Sequence, residues 1–330
     1  MNRLYKYLTP LTGLILIITP FTAMSSDNTT SSCGDATLLP DGVSEWQLPA
    51  TLPAGVTVVE SYLKGKKSPA ANEDGIVVTP YYIAVIDGAT SKSDFSLDGK
   101  KSGRLAMEIV CDAVRTLSPD ATMPEAMRHI TSAIADFYTA HGLDEEMRAA
   151  PNKRFVANGV IYSVARREIW QTGDCQLRFA DTYSRNEKEI DHIMALARAA
   201  MNEAALASGV TPEELTRTDP GRAFIMPFLQ RQALLQNNPD PSLRFSFPVF
   251  DGTPVDPAKV KVFSVGPSTE IILTSDGYPE VLPTLAGSES ALRRILDADP
   301  MCMREGLSTK GIVHGNLSFD DRAYIRFIHR

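Results

Sequence analysis

The chain has 330 residues, 43% hydrophobic and 22% charged, the balance of a soluble globular protein with a sizeable core. A formal net charge of -7 excludes a basic footprint for nucleic acid, and carboxylates gathered around cations would count as negative in that sum. Cys33, Cys111, Cys175 and Cys302 are far apart with no CxxC pair, which excludes a zinc ribbon or redox dithiol and reads as buried or free thiols.

Residues 1–25 have the shape of a secretory signal: Arg3 and Lys6, an apolar run from Leu11 to Phe21, then the small residues Ala23 and Ser25. The run is shorter than a comfortable membrane span and is interrupted by Pro20, which places a permanent anchor second. A start of translation at Met24, giving a cytoplasmic protein, is the other alternative; the coincidence of charged head, apolar core and small-residue exit favours export to the periplasm or medium. Contact with a membrane is expected only if this segment stays uncleaved. Residues 26–45 follow as a polar spacer with the composition of disorder, and a folded domain is expected over 46–330.

From Trp46 to Ile86 the chain is rich in Val, Ile and Tyr with Gly, Pro and Asn punctuation, which predicts short strands and turns. Ala106, Ile109, Val110, Ala113, Val114 and Leu117 then recur at helical spacing, as do Ala126, Ile130, Ile134, Phe137 and Tyr138 behind Pro124-Glu125. Strands return at Val160–Ala165, Glu168–Trp170 and Cys175–Ala180, joined by a turn at Thr172-Gly173-Asp174. A helical insertion occupies about 187–237, within which Thr211-Pro212-Glu213-Glu214 predicts a capped helix start. Strands at Val260–Val265 and Glu270–Thr274, a helix near Ser288–Asp297 and a strand at Ala323–Ile328 complete the order. With no steady βαβ alternation, the expected architecture is α+β: two antiparallel sheets flanked by helices.

Two apolar runs end in Asp-Gly, at Asp87-Gly88 and Asp276-Gly277; Glu73-Asp74 precedes the first and Asp320-Asp321 opens the last strand. Asp-Gly alone is an ordinary turn signal. Carboxylates delivered together by strand ends would repel and stay protonated unless cations neutralised them. No His or Cys accompanies them at ligand spacing, so all-oxygen ligation points to Mg²⁺ or Mn²⁺. Two such ions could ionise a bridging water for in-line attack on phosphorus, which makes phosphate ester hydrolysis the natural chemistry. A phosphatase strand ending in Asp-x-Asp is excluded, because Val85 stands two residues before Asp87.

In order, Asn72-Glu73-Asp74, Val85-Ile86-Asp87-Gly88, Thr172-Gly173-Asp174-Cys175, Thr274-Ser275-Asp276-Gly277 and Asp320-Asp321-Arg322-Ala323 resemble the motifs of the PPM family, the metal-dependent type 2C-like serine/threonine phosphatases. The resemblance spans about residues 50–330 and implies a four-layer α-β-β-α sandwich with the metal centre at one end of the sheets. It implies that Asp87 bridges two ions and that the Gly88 carbonyl and, through water, Glu73 serve the second. Asp276 and Asp320 would hold the first ion, Asp174 would join Asp276 at a third, and Asp74 would orient the attacking water. Glu280 is a weaker candidate for that third position.

The chain departs from the pattern at Ala89, where a histidine proton donor is common, at Pro69, where an arginine is common, and at Asp321, which replaces an asparagine. Lys66 and Lys67 lie where they could receive phosphate, although a solvated pair on a turn is the plainer reading. Ser308-Thr309-Lys310-Gly311 resembles an anion-binding turn, and a connecting loop explains it equally well. These residues together predict a monomeric phosphatase acting on a phosphorylated protein or peptide. The alternative is a non-catalytic phosphatase-like binding module.

Overall fold

The computed structural model describes residues 43–330, so the expectations for 1–25, for most of the spacer and for Cys33 lie outside the described residues. Residues 43–45, assigned above to the spacer, are held against the domain: Glu45 N–H donates to the Leu63 carbonyl at 2.8 Å, and Gly65 N–H donates to Glu45 Oε2 at 3.0 Å. Among the described residues no helix is long and apolar enough to cross a membrane.

The strands are β1 (Val56–Lys64), β2 (Asp74–Val78), β3 (Tyr82–Gly88), β4 (Ser96–Leu97), β5 (Lys100–Lys101), β6 (Ala157–Ser163), β7 (Glu168–Thr172), β8 (Gln176–Phe179), β9 (Thr182–Ser184), β10 (Lys261–Ser264), β11 (Thr269–Thr274) and β12 (Arg322–His329). They form two five-stranded antiparallel sheets, ordered β1-β12-β11-β8-β9 and β10-β7-β6-β3-β2, with β4 and β5 as a separate hairpin.

The helices are α1 (Ser102–Arg115), α2 (Met123–Ala140), α3 (Asp144–Ala149), α4 (Glu189–Ala207), α5 (Pro212–Arg217), α6 (Pro220–Arg231) and α7 (Leu285–Ala298). The capping boxes Thr122–Glu125 and Thr211–Glu214 begin α2 and α5, satisfying backbone donors that a first turn leaves unpaired.

The alternation along β3 shows why the chain folds in layers. Ile83 and Val85 point into the core between the sheets, with Val160, Leu177, Ile271, Leu273, Ile325 and Phe327. Ala84 and Ile86 point the other way, onto the apolar stripe of α1 and α2 that the spacing predicted: Ala106, Val110, Ala113, Ile130 and Ile134. Leu285 of α7 joins Tyr62, Ile272 and Tyr324 on the outer face of the other sheet. The layers therefore run α-β-β-α, as expected.

Helices α4 to α6 form the insertion, with a small core of their own around Met194, Ile225 and Leu229. Arg198 of α4 is fully buried; its Nε donates to Asp219 at 2.8 Å and its Nη1 to the Met301 carbonyl at 2.8 Å. That link ties the insertion to the segment between α7 and β12, and both border the site. Cys111, Cys175 and Cys302 are free and buried, in agreement with their spacing.

Candidate metal centre

The acids meet because antiparallel register brings strand ends side by side. Asp74 opens β2 opposite Asp87, and Asp87 stands opposite Asn158 of β6. In the other sheet, Ser275 N–H donates to the Ala323 carbonyl at 3.0 Å and Ala323 N–H to Ser275 Oγ at 2.9 Å, which fastens Asp276 beside Asp320 and Asp321. Both Asp-Gly pairs use the glycine for close approach. A side chain at Gly88 would strike the backbone of Gly103 and Glu73, and one at Gly277 would strike the Asp321 carbonyl. The dipeptide that reads as a turn signal therefore permits two backbones to pack where the carboxylates converge.

Asp87, Asp174 and Asp276 each offer an oxygen, and these oxygens lie within 4.8 Å of one another. Asp174 sits in the turn after β7, where Gly173 has φ +75°, and accepts a hydrogen bond from Asn158 Nδ2. Asp74 is buried beside Asp87 with the Ser275 hydroxyl nearby, and among the described residues its Oδ2 has no partner within hydrogen-bond geometry. Burial, reinforced by Asp174 and Asp320, pushes the Asp87 carboxyl up to about 7. Burial and the charges of Asp87 and Asp320 push Asp276 up, and burial with Asp87 does the same to Asp74. Asp87 and Asp276, with no ammonium in contact among the described residues, and the half-buried Asp174, shared with Lys188, are the donor set of a hard divalent cation, so these residues fit Mg²⁺ or Mn²⁺.

The other acids of the centre already have cations. Lys66 Nζ lies 3.3 Å from Glu73 Oε2, 3.1 Å from Asp320 Oδ1 and 3.0 Å from Asp321 Oδ2, and also donates to Thr90 Oγ1 at 3.2 Å. Lys310 Nζ pairs with the second oxygen of Asp320. Burial opposes ionisation of Asp320, yet Lys310 and Lys66 outweigh it and hold this carboxyl well below the usual range. Burial also opposes charge on Lys66, and Asp320, Asp321 and Glu73 raise it above its ordinary value. Burial raises Glu73 despite Lys66. Lys188 Nζ bonds Asp174 Oδ2 at 2.7 Å and Asp191 Oδ2 at 3.1 Å.

The structure thus brings together Asp74, Asp87, Gly88, Asp174 and Asp276 as one group and Glu73, Asp320 and Asp321 as another that shares lysine ammoniums. Lys66 lies inside the centre, so the plainer expectation of a solvated charge on a turn is corrected; its reach is set by Lys66 N–H donating to Asp321 Oδ1 at 2.7 Å. Lys67 and Glu280 are exposed and contribute no atom to the cluster. Lys188, Lys310, Lys92 and Arg222 line the cleft and had no assigned role in the sequence. Only Lys310 carried a signal, the anion-turn pattern at 308–311.

No protein-family model matches the chain, and no curated protein sequence matches it either. Among solved structures, the chain is similar to the catalytic domain of the serine/threonine protein phosphatase PstP in complex with two manganese ions, at 15% identity, covering 83% of this chain and 97% of that one, TM-score 0.41. PppA of Pseudomonas aeruginosa, a regulatory component of its T6SS, is similar at 10% identity over 84% of this chain and 99% of its own, TM-score 0.43. The S. agalactiae serine/threonine phosphatase is similar at 12% identity over 83% and 100%, TM-score 0.41.

Proposed function

We propose that the chain is a PPM-type phosphatase that uses Mg²⁺ or Mn²⁺ to hydrolyse phosphoserine or phosphothreonine in a protein or peptide. The observation that supports this most directly is the convergence of Asp87, Asp174 and Asp276 within 4.8 Å at the floor of a cleft whose walls carry Lys92, Arg154, Arg222 and Lys310. Acid at the floor suits cations and base on the walls suits a phosphate ester.

Asp87, Asp174 and Asp276 would hold the divalent charge, with the Gly88 carbonyl beside Asp87, and Glu73 and Asp320, now paired with lysines, would be the further carboxylates available to it. Divalent ions so held supply the positive charge that lowers the pKa of the attacking water and offsets charge on the phosphoryl oxygens. Asp74 Oδ2, buried beside Asp87 without a partner in hydrogen-bond geometry among the described residues, would accept a hydrogen bond from that water and orient it. Lys310, kept protonated by Asp320, adds fixed positive charge where the phosphoryl group gains negative charge. The reaction needs no phosphoenzyme, since water attacks phosphorus and the serine or threonine oxygen leaves. Release of phosphate from a phosphothreonine peptide with Mn²⁺ by the wild-type chain, and none by Asp87→Asn, is the expected result; a Mn²⁺-loaded protein without activity contradicts it.

The lysine contacts favour a second reading, a binding module in which ammoniums take the place of divalent ions. Calorimetric Mn²⁺ titration separates the two: the module binds no Mn²⁺ tightly. The apolar segment at 11–21 supports export, and mass spectrometry of the mature N-terminus tests it, with cleavage after residue 25 expected.

A further inference from the structure

Five cations line the cleft around the acids, and their partners differ. Lys188 is paired with Asp174 and Asp191, Lys310 with Asp320, and Arg154 with Asp251 at 3.2 Å. Lys92 and Arg222 form no ion pair among the described residues. Lys92 Nζ reaches only the Thr90 carbonyl, at 3.3 Å, and the Arg222 guanidinium bonds the Thr309 carbonyl through Nη1 at 2.9 Å. Both are half-buried rather than waving in solvent.

They come from different elements that are fixed to each other. Lys92 lies on the loop after β3 and Arg222 in the first turn of α6. Gln230, at the far end of α6, donates through Nε2 to the Lys92 carbonyl at 2.9 Å. Burial and then the charge of Arg222 lower the Lys92 ammonium to about 8. Two unpaired cations held in one cleft wall repel each other and lose hydration, a cost that an anion lying between them would offset.

We propose that Lys92 and Arg222 form an oxyanion subsite that receives a phosphate group of the ligand. This deepens the phosphatase reading and rests on it for the identity of the anion. Guanidinium presents a planar fork to two phosphate oxygens, and the ammonium acts as a point charge on a third. Thr90 and Ser91 border the same space; the Thr90 hydroxyl accepts from Lys66 and Lys310 and has its own proton to offer, whereas the Ser91 hydroxyl already donates to the Ser93 carbonyl at 2.9 Å. The subsite lies on the wall contributed partly by the insertion, so α6 acquires a role in ligand capture and not only in covering the cleft.

The test is calorimetric titration of the full chain with inorganic phosphate, without turnover. Lys92→Gln and Arg222→Gln are each expected to weaken phosphate binding about tenfold or more, the size of one charge-assisted hydrogen bond, and Lys92→Arg to retain it. Mn²⁺ titration of the same variants is expected to match wild type, and circular dichroism checks that they are folded; if a glutamine variant fails to fold, Arg222→Lys with weakened binding serves in its place. Phosphate affinity unchanged in the double variant, or a wild-type chain that takes up no phosphate, overturns the subsite. Phosphate binding that depends on Lys92 and Arg222 in a protein without hydrolytic activity would sink the phosphatase reading and leave the subsite standing.

Discussion

The carboxylates of this centre divide into two groups by whether the Lys66 ammonium reaches them. Glu73, Asp320 and Asp321 share the Lys66 ammonium at 3.0–3.3 Å, and Asp320 also has Lys310. Asp87 and Asp276, a strand end away, form no ion pair among the described residues, and burial raises both. A buried carboxylate is stabilised by a cation wherever the cation comes from. The first group obtains it from the chain and the second must obtain it from solution. On the proposed reading, the difference points to Asp87 and Asp276 as the acids that a divalent ion would neutralise, with Asp174, already paired with Lys188, beside them.

Removing a carboxylate from the second group should abolish function without harming the fold. Asp87→Asn is expected to lower phosphate release by at least about 10³-fold, more than loss of one oxyanion donor, and to remove Mn²⁺ binding in calorimetry. In metal-free buffer the same variant is expected to melt higher than wild type, by on the order of 2–4 °C for each kcal/mol of relieved repulsion. A lower melting temperature would mean that Asp87 is already neutralised.

Removing the cation from the first group should do the reverse. Lys66→Met leaves Glu73 and Asp321 without their ammonium and Asp320 with Lys310 alone, and the metal-free protein is expected to lose about 3–5 kcal/mol in urea unfolding. Saturating Mn²⁺ should return part of that loss. Unfolding that is unaffected by the substitution would show that the lysine clamp contributes nothing.

The pH response separates the groups again. Asp87 keeps its proton up to about 7 in the folded protein but loses it near the ordinary carboxylate value, about 3.9, when unfolded. Its contribution to stability is therefore complete below about pH 4 and is lost as pH rises through about 7. Asp320 has the opposite sign, because its folded carboxyl is held low by Lys310 and Lys66, so its contribution is present above the ordinary carboxylate range and is lost in acid. Metal-free melting followed from pH 5 to pH 8 should fall for wild type and fall less for Asp87→Asn. Lys67→Ala and Glu280→Ala change exposed positions and are expected to stay within about 0.5 kcal/mol of wild type in the same assay.

Most of the sandwich could be read from the sequence because its signals are local. The continuous apolar run of β3, the apolar stripes of α1 and α2 and the Asp-Gly strand ends each fit within a few residues. Helix α3, six residues long, and strand β9, three residues long, are too short for periodicity to register and went unassigned. The insertion read as one helical block although Asp219-Pro220 marks a new start, with Asp219 accepting from Arg222 N–H. The lysines were hidden for another reason. Lys66 meets Asp320 across 254 positions and Lys310 meets Thr90 across 220, so no spacing in the chain announces either contact. A lysine beside an acidic turn reads as solvated until the sheet closes around it.

A Mn²⁺-soaked crystal of the full domain tests the division most directly. Anomalous density coordinated by Asp87, Asp174 and Asp276 is the expected result. A crystal with Lys66 and Lys310 in place and no metal at those three aspartates would contradict it.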